Sequence, residues 1–292
     1  NVALRSGGTG ALTLRAGSGD ITATNGANDT AELLTSGVIT LTSADKIGTD
    51  ANSRIQFKDA QDEVTITNAT GGAFLQGLGA LTLGSVVTGG GELNVVSTGT
   101  NTLLTLDNVT TAGGSVTALS TGGITVGTSK TINSGAGTIN LGADRTSADA
   151  AGDGTGTLTL NDSATVTSAN TTAAAITLRG ADLAISTTGG SEATVSATGA
   201  NGGVRLYTSV GTRTMNIGAD GAGADYNVSD AELARITSLG VGGNGTLTIG
   251  ESTVQSGVIT VTTVVSPVTA ATVEINSNSG TGGIVLTDVA GG

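Results

Sequence analysis

The chain alternates in short bursts. Leu12-Thr13-Leu14, Val38-Ile39-Thr40-Leu41, Val64-Thr65-Ile66, Leu81-Thr82-Leu83, Ile124-Thr125-Val126, Leu158-Thr159-Leu160, Ile176-Thr177-Leu178, Leu247-Thr248-Ile249 and Ile259-Thr260-Val261 all place an aliphatic residue at every second position. A period of two predicts strands with one face buried and the other in water. β-branched Thr, Val and Ile suit a pleated surface. Clusters of Gly, Ser, Asn and Asp separate the bursts, which arrive roughly every 8–12 residues.

Several units recur almost unchanged. Gly10-Ala11-Leu12-Thr13-Leu14 returns as Gly79-Ala80-Leu81-Thr82-Leu83, and Ser36-Gly37-Val38-Ile39-Thr40 as Ser256-Gly257-Val258-Ile259-Thr260. Thr121-Gly122-Gly123-Ile124 returns as Thr281-Gly282-Gly283-Ile284. Self-similarity with variable intervals indicates a degenerate repeat array. The same strand spacing would fit a sandwich or barrel, but no linker or composition shift divides the chain, and hairpin dipeptides are few. A solenoid accounts for uniform composition from end to end, because each coil meets only its neighbours. The expected fold is therefore all-β: a right-handed parallel β-helix with three strands per coil, running as one continuous unit over 1–292. Three strands per coil give roughly nine or ten coils and a rod on the order of 45 Å long. Leu, Ile and Val are expected inside, Thr, Ser and Asn outside, and Gly at corners, where positive φ is needed.

Two places read as short helical insertions. Ser229-Asp230-Ala231-Glu232-Leu233-Ala234-Arg235-Ile236 opens with a capping-box pattern from Ser229 to Glu232. Asp29-Thr30-Ala31-Glu32-Leu33-Leu34 is the second.

Composition narrows the chemistry. The 292 residues include no Cys and no His, which removes ordinary zinc sites, disulfides and nucleophilic triads that use His. Eleven basic against 23 acidic residues leave a net charge of −12, so nucleic acid and anionic lipid are poor partners. Gly is abundant at 49 residues and Pro occurs once, at Pro267; the absence of a three-residue period excludes collagen. No apolar run is long enough for a membrane helix, so membrane insertion is not expected. Neither end reads as a polar cap, and the chain is expected to be a piece of a longer polypeptide.

Gly37-Val38-Ile39-Thr40-Leu41-Thr42-Ser43-Ala44-Asp45-Lys46-Ile47-Gly48-Thr49 resembles repeats of filamentous-haemagglutinin-like proteins. So does Val228-Ser229-Asp230-Ala231-Glu232-Leu233-Ala234-Arg235-Ile236, followed by Gly245-Thr246-Leu247-Thr248-Ile249-Gly250. The resemblance implies an exported bacterial surface protein with a β-helical shaft and a role in adhesion or a surface layer. Its partners would be neighbouring coils, copies of itself and possible surface glycans. No catalytic residue or bound cofactor is expected.

Four candidate chemistries remain. Calcium would use Asp220, Asp225, Asp230 and Glu232 around the helical insertion, or Asp144, Asp149 and Asp153 in a second acidic loop, set against the plainer reading of solvated loops. A carbohydrate-active enzyme working with paired carboxylates is the alternative function, with Asp59, Asp62 and Glu63 beside Lys58 as the closest cluster. Ice binding would need Thr-x-Thr pairs such as Thr40/Thr42, Thr65/Thr67, Thr157/Thr159 and Thr246/Thr248 in register, and their irregular intervals argue against it. Seven Asn-x-Ser/Thr sequons, at Asn28, Asn68, Asn108, Asn161, Asn170, Asn227 and Asn244, barely exceed chance. Arg5, Arg15, Arg179 and Arg205 are expected to point outward and interrupt neutral walls.

Overall fold

The computed structural model describes residues 4–5, 9–23, 31–58, 61–67, 69–218, 226–238, 242–262, 270–278 and 282–287. It is a parallel β-helix. One sheet stacks eleven strands in sequence order: Leu4–Arg5, Leu33–Leu34, Ile55–Phe57, Gly72–Gly77, Leu93–Ser97, Val116–Ser120, Ile139–Gly142, Ile176–Gly180, Val204–Thr208, Thr246–Ile249 and Thr272–Ile275. At about 4.8 Å between strands, that stack is about 48 Å long. Every pairing between these strands is parallel.

The second wall begins as long strands and then divides. Leu81–Val87 and Leu104–Thr110 each turn a corner within one strand. The first half of Leu104–Thr110 pairs with Ile124–Val126 and the second half with Thr131–Asn133. From there the rod is three-sided, one face continuing through Thr157–Leu160 and Asp182–Ile185, the other through Thr165–Ser168, Thr194–Ala197 and Ile236–Thr237. Above Asp182–Ile185 one pair is stacked out of sequence order. Tyr226–Ser229 lies next to it, with Asn227 N donating to Asp182 Oδ1 at 2.9 Å, and the earlier strand Met215–Gly218 comes after that.

Aliphatic columns hold the coils together. Leu75, Val95, Ala118, Leu141, Leu178, Leu206 and Ile249 follow one another in register, all fully buried. Leu83, Leu106, Val126, Leu160 and Ile185 make the matching column opposite. Each fully buried Leu, Ile or Val contributes about 1.5–3 kcal/mol of transfer free energy.

The corners use hydroxyls in a way that alternation alone does not predict. Ser134 Oγ donates to Gly137 O at 2.6 Å, Thr88 to Gly91 O and Thr111 to Gly114 O: the same three-residue turn in successive coils. Elsewhere the bond runs to the coil below, from Thr35 to Gly10 O at 2.6 Å, Ser43 to Gly19 O at 2.7 Å, Ser97 to Gly79 O at 2.6 Å and Ser168 to Gly137 O at 2.7 Å. These hydroxyls face inward, contrary to the expected outward placement, because corner carbonyls at a bend have no strand partner and need a donor. Gly91, Gly114 and Gly137 stack beneath them. A Cβ on Gly114 would collide with the Gly91 carbonyl, and one on Gly137 with the Gly114 carbonyl. Space, not positive φ, demands glycine at these three.

The helical reading is half right. Asp230–Leu233 is a helix with the full reciprocal capping box between Ser229 and Glu232. Leu33–Leu34, assigned to the other helical insertion, is a strand of the first sheet, its register with Phe57 overriding a weak local preference. Asp29 and Thr30 lie outside the described residues.

Candidate functional site

Coil length is not constant. Register partners in the first sheet are 20 residues apart from Ala73 to Leu93 and 23 from Leu93 to Val116 and from Val116 to Ile139. The interval rises to 37 from Ile139 to Ile176 and to 43 from Val204 to Leu247. The extra chain of the first long coil forms a loop over 143–156 on the outside of the sheet, and it meets the chain that follows Val204–Thr208.

Asp144 opens the loop at φ 55 and is fully buried. Its Oδ1 accepts from Asp153 N at 2.8 Å, and its Oδ2 from Gly154 N at 2.9 Å and from the Ser209 hydroxyl. Arg145 Nε pairs with Asp149 Oδ1 at 2.8 Å, its Nη1 donates to Ser209 O at 2.7 Å, and its Nη2 to Asp149 O. Arg213 Nη1 donates to Gly154 O at 3.0 Å. Arg179 reaches across a coil: Nη2 lies 3.0 Å from Glu251 Oε2, Nη1 lies 3.6 Å from Asp149 Oδ1, and the guanidinium stands 5.1 Å from the centroid of the Tyr207 ring. Such a stacked cation is attracted by the ring quadrupole. Burial raises the Tyr207 phenol above its ordinary value, and nearby Arg205 partly opposes this.

These groups surround a cleft of about 220 Å³ lined by Arg145, Arg179, Thr208, Ser209, Glu251 and Val254. Gly142 makes room for the Arg145 side chain. A Cβ there would stand 2.8 Å from Leu119 Cδ2 and 2.9 Å from Arg145 Cγ. Arg179 does leave the sheet on the outer side, as alternation requires, but it is covered and held there; its side chain is only 12% exposed. It ties coils together where a bare surface charge was expected. The sequence held two unused signals: the Arg145/Asp149 spacing inside an acidic loop, and the two long gaps between strand bursts.

The cation candidates fare differently. Asp144 and Asp149 meet N–H and O–H donors and guanidinium groups, so this loop is closed by its own hydrogen bonds. Glu232 Oε2 accepts from Ser229 N and Oγ, both at 2.9 Å, and Oε1 from Ile185 N at 2.8 Å. Its carboxylate therefore bolts the helix to the neighbouring strand. Asp230 begins that helix, while Asp220 and Asp225 lie outside the described residues. Among the described residues no three acidic side chains gather into a metal-sized group.

Of the carboxylate cluster near Lys58, Asp59 lies outside the described residues, and Glu63 accepts from Thr65 Oγ1 at 3.1 Å on the outer wall. Lys58 donates to Ser36 Oγ at 3.3 Å. Asn170 spends its amide on Ala136 O at 2.8 Å and its carbonyl on Thr172 N at 2.9 Å; Asn108 and Asn244 are exposed, and Asn28 and Asn68 are outside the described residues. All four aromatic residues of the chain, Phe57, Phe74, Tyr207 and Tyr226, are buried.

The Thr-x-Thr pairs stack as pairs only in part: Thr157 and Thr159 pair with Asp182 and Ala184, and Thr248 stands between Arg205 and Glu274, as irregular intervals lead one to expect. Thr13, Thr40 and Thr65 align, as do Thr42 and Thr67, whose hydroxyls lie 2.6 Å apart. Extra residues leave at corners, so strand register survives variable coil length. No family model, curated protein or solved structure matches this chain.

Proposed function

We propose that this chain is a rigid rod segment of a long extracellular bacterial surface protein of the filamentous-haemagglutinin-like kind, with a structural or adhesive task and no catalytic one. The observation that carries the reading is the unbroken parallel stack of eleven strands with side-chain ties running along its axis, from Asp144 and Arg145 to Ser209 and from Arg179 to Glu251. Hydrogen-bonded stacking resists extension along the rod, and ties that skip a coil resist peeling. End-to-end assembly is part of the proposal. Among the described residues, Ile284–Leu286 pairs on one side only and exposes its side chains, the kind of edge that accepts another strand.

Negative-stain imaging with sedimentation across a concentration series tests it. Thin rods that lengthen with concentration are expected. A discrete particle at every concentration would remove self-assembly, and a compact globular particle would remove the rod itself.

The rival, a carbohydrate-active enzyme with paired carboxylates, could use the cleft lined by Glu251, with Asp149 beside it on the same arginine. Both are bound to arginines there, and no aromatic side chain is exposed to seat a sugar ring. Release of reducing ends or unsaturated sugars from a polysaccharide panel would favour it.

A further inference from the structure

The rod climbs coil by coil except at one place. On its third side Met215–Gly218 pairs with Ile259–Val261, and the register partners Met215 and Ile259 are 44 residues apart, as in the long coils. On its other edge it pairs with Tyr226–Ser229, and there Met215 and Tyr226 are only 11 residues apart. That is too short for a circuit of the rod, since coils of the first sheet take at least 20 residues. The chain therefore passes one rung upward and then steps back. Tyr226–Ser229 fills the level between Asp182–Ile185 below and Met215–Gly218 above.

The lower junction of this rung is made by side chains. Among the described residues Asp182–Ile185 takes part in backbone pairing only with Thr157–Leu160. Toward the next level two carboxylates stand where ladder carbonyls would. Asp182 Oδ1 accepts from Asn227 N at 2.9 Å, and Glu232 Oε1, on the short helix, accepts from Ile185 N at 2.8 Å. Glu232 Oε2 holds Ser229 at the same time, so strand and helix act as one block over 226–233. Met215, Ile217, Tyr226 and Val228 are fully buried and pin both rungs to the core.

The order of stacking sets the order of release. In a solenoid whose rungs follow the sequence, a chain peeled from one end meets each rung when a single neighbour still holds it. Here peeling from either end meets a rung held on two sides. From the carboxyl end, Ile259–Val261 and Ile236–Thr237 come away first. The block 226–233 follows, with Met215–Gly218 paired above it and the two carboxylates bonded below. From the amino end, peeling reaches Met215–Gly218 while Tyr226–Ser229 and Ile259–Val261 are both in place.

We propose that this stepped-back rung is a mechanical stop that halts coil-by-coil unwinding of the rod under tension from either end. The inference rests on the rod reading for its purpose, because a fibre under tension is what needs such a device; the strand order itself does not depend on that reading.

The test is single-molecule pulling of the 292-residue chain between its carboxyl terminus and a handle on Thr177→Cys, the chain having no Cys of its own. Peeling is expected to run at low force until residues 234–292 are free, about 200 Å of chain, and then to need about twice the force, because two sets of bonds must break together. Asp182→Ala combined with Glu232→Ala removes both carboxylates and should lower that peak to the level of the preceding rungs. Gly114→Ala, at a corner far from the stop, should leave the peak unchanged in height and position. Smooth peeling through 215–237 at uniform force overturns the proposal, and so does a peak that survives undiminished in the double variant. If the double variant does not fold, hydrogen exchange on the parent chain decides. Amides of Met215–Gly218 and Tyr226–Ser229 should exchange at least about tenfold more slowly than those of Ile259–Val261, and a smooth rise in exchange from Asp182–Ile185 to Ile284–Leu286 overturns the stop. A rod without the peak removes the stop alone, whereas a compact particle in imaging removes the rod reading and leaves the peak standing.

Discussion

Gly114→Ala should be among the costliest small substitutions in this protein, and the reason is spatial. The Gly114 backbone runs directly over the Gly91 carbonyl, and a methyl there would also stand 2.7 Å from Glu92 N. Ordinary contact with a carbonyl oxygen begins near about 3.5 Å, so the two coils must part by roughly 1 Å at this corner. The Leu93 N to Ser115 O bond, 2.9 Å long, joins the same two coils beside the clash and would be stretched out of range. Overpacking of this kind costs about 1–3 kcal/mol and the lost bond about 1 kcal/mol more. The expected destabilisation is therefore about 2–4 kcal/mol, shared by Gly137→Ala for the same reason. Gly189→Ala is the control. Its Cβ would meet nothing within 4 Å, so it should be neutral or slightly stabilising, through the unfolded chain. Because repeat proteins can open locally, hydrogen exchange of Leu93–Ser97 and Val116–Ser120 should be read together with the urea midpoint. If Gly114→Ala and Gly189→Ala gave equal exchange and equal midpoints, corner crowding would not be what selects glycine here.

Other expectations follow from particular side chains. Tyr226 is fully buried and its hydroxyl has no partner among the described residues, so Tyr226→Phe should be neutral to stabilising by up to about 1–3 kcal/mol at pH 7, measured by denaturation. Burial also holds that phenol well above its ordinary value; the folded state keeps its proton, so stability is full below the ordinary tyrosine range and falls as pH climbs past it. Tyr226→Phe should flatten that alkaline slope. Arg145→Met removes the tie to Ser209 and the pair with half-exposed Asp149, with an expected loss of about 1–3 kcal/mol and faster hydrogen exchange at Val204–Ser209. Ser134→Ala removes one of the two hydroxyls that donate to the Gly137 carbonyl and leaves that of Ser168, so it should cost at most about 1 kcal/mol, whereas Thr165→Ala on the outer wall should stay within about 0.5 kcal/mol in a melt.

Alternation, together with recurring units and the lack of a linker, pointed to the fold class. An aliphatic residue at every second position, repeated through 292 residues without a linker, leaves stacking in parallel coils as the economical way to bury one face. The capping pattern from Ser229 to Glu232 likewise specified a local structure, because its reciprocal hydrogen bonds span three residues and need no distant partner. Tertiary structure decided what depends on the next coil. Leu33–Leu34 became a strand because a neighbour offered register, and Thr88, Thr111 and Ser134 turned inward because corner carbonyls needed donors. Arg179 became a tie when Glu251, 72 positions away, arrived beside it. The column through strands Thr131–Asn133, Thr165–Ser168 and Thr194–Ala197 is the clearest case. Thr131, Thr165 and Thr194 align only because insertions leave the rod at its corners, and unequal intervals along a chain carry no information about where its extra residues will go.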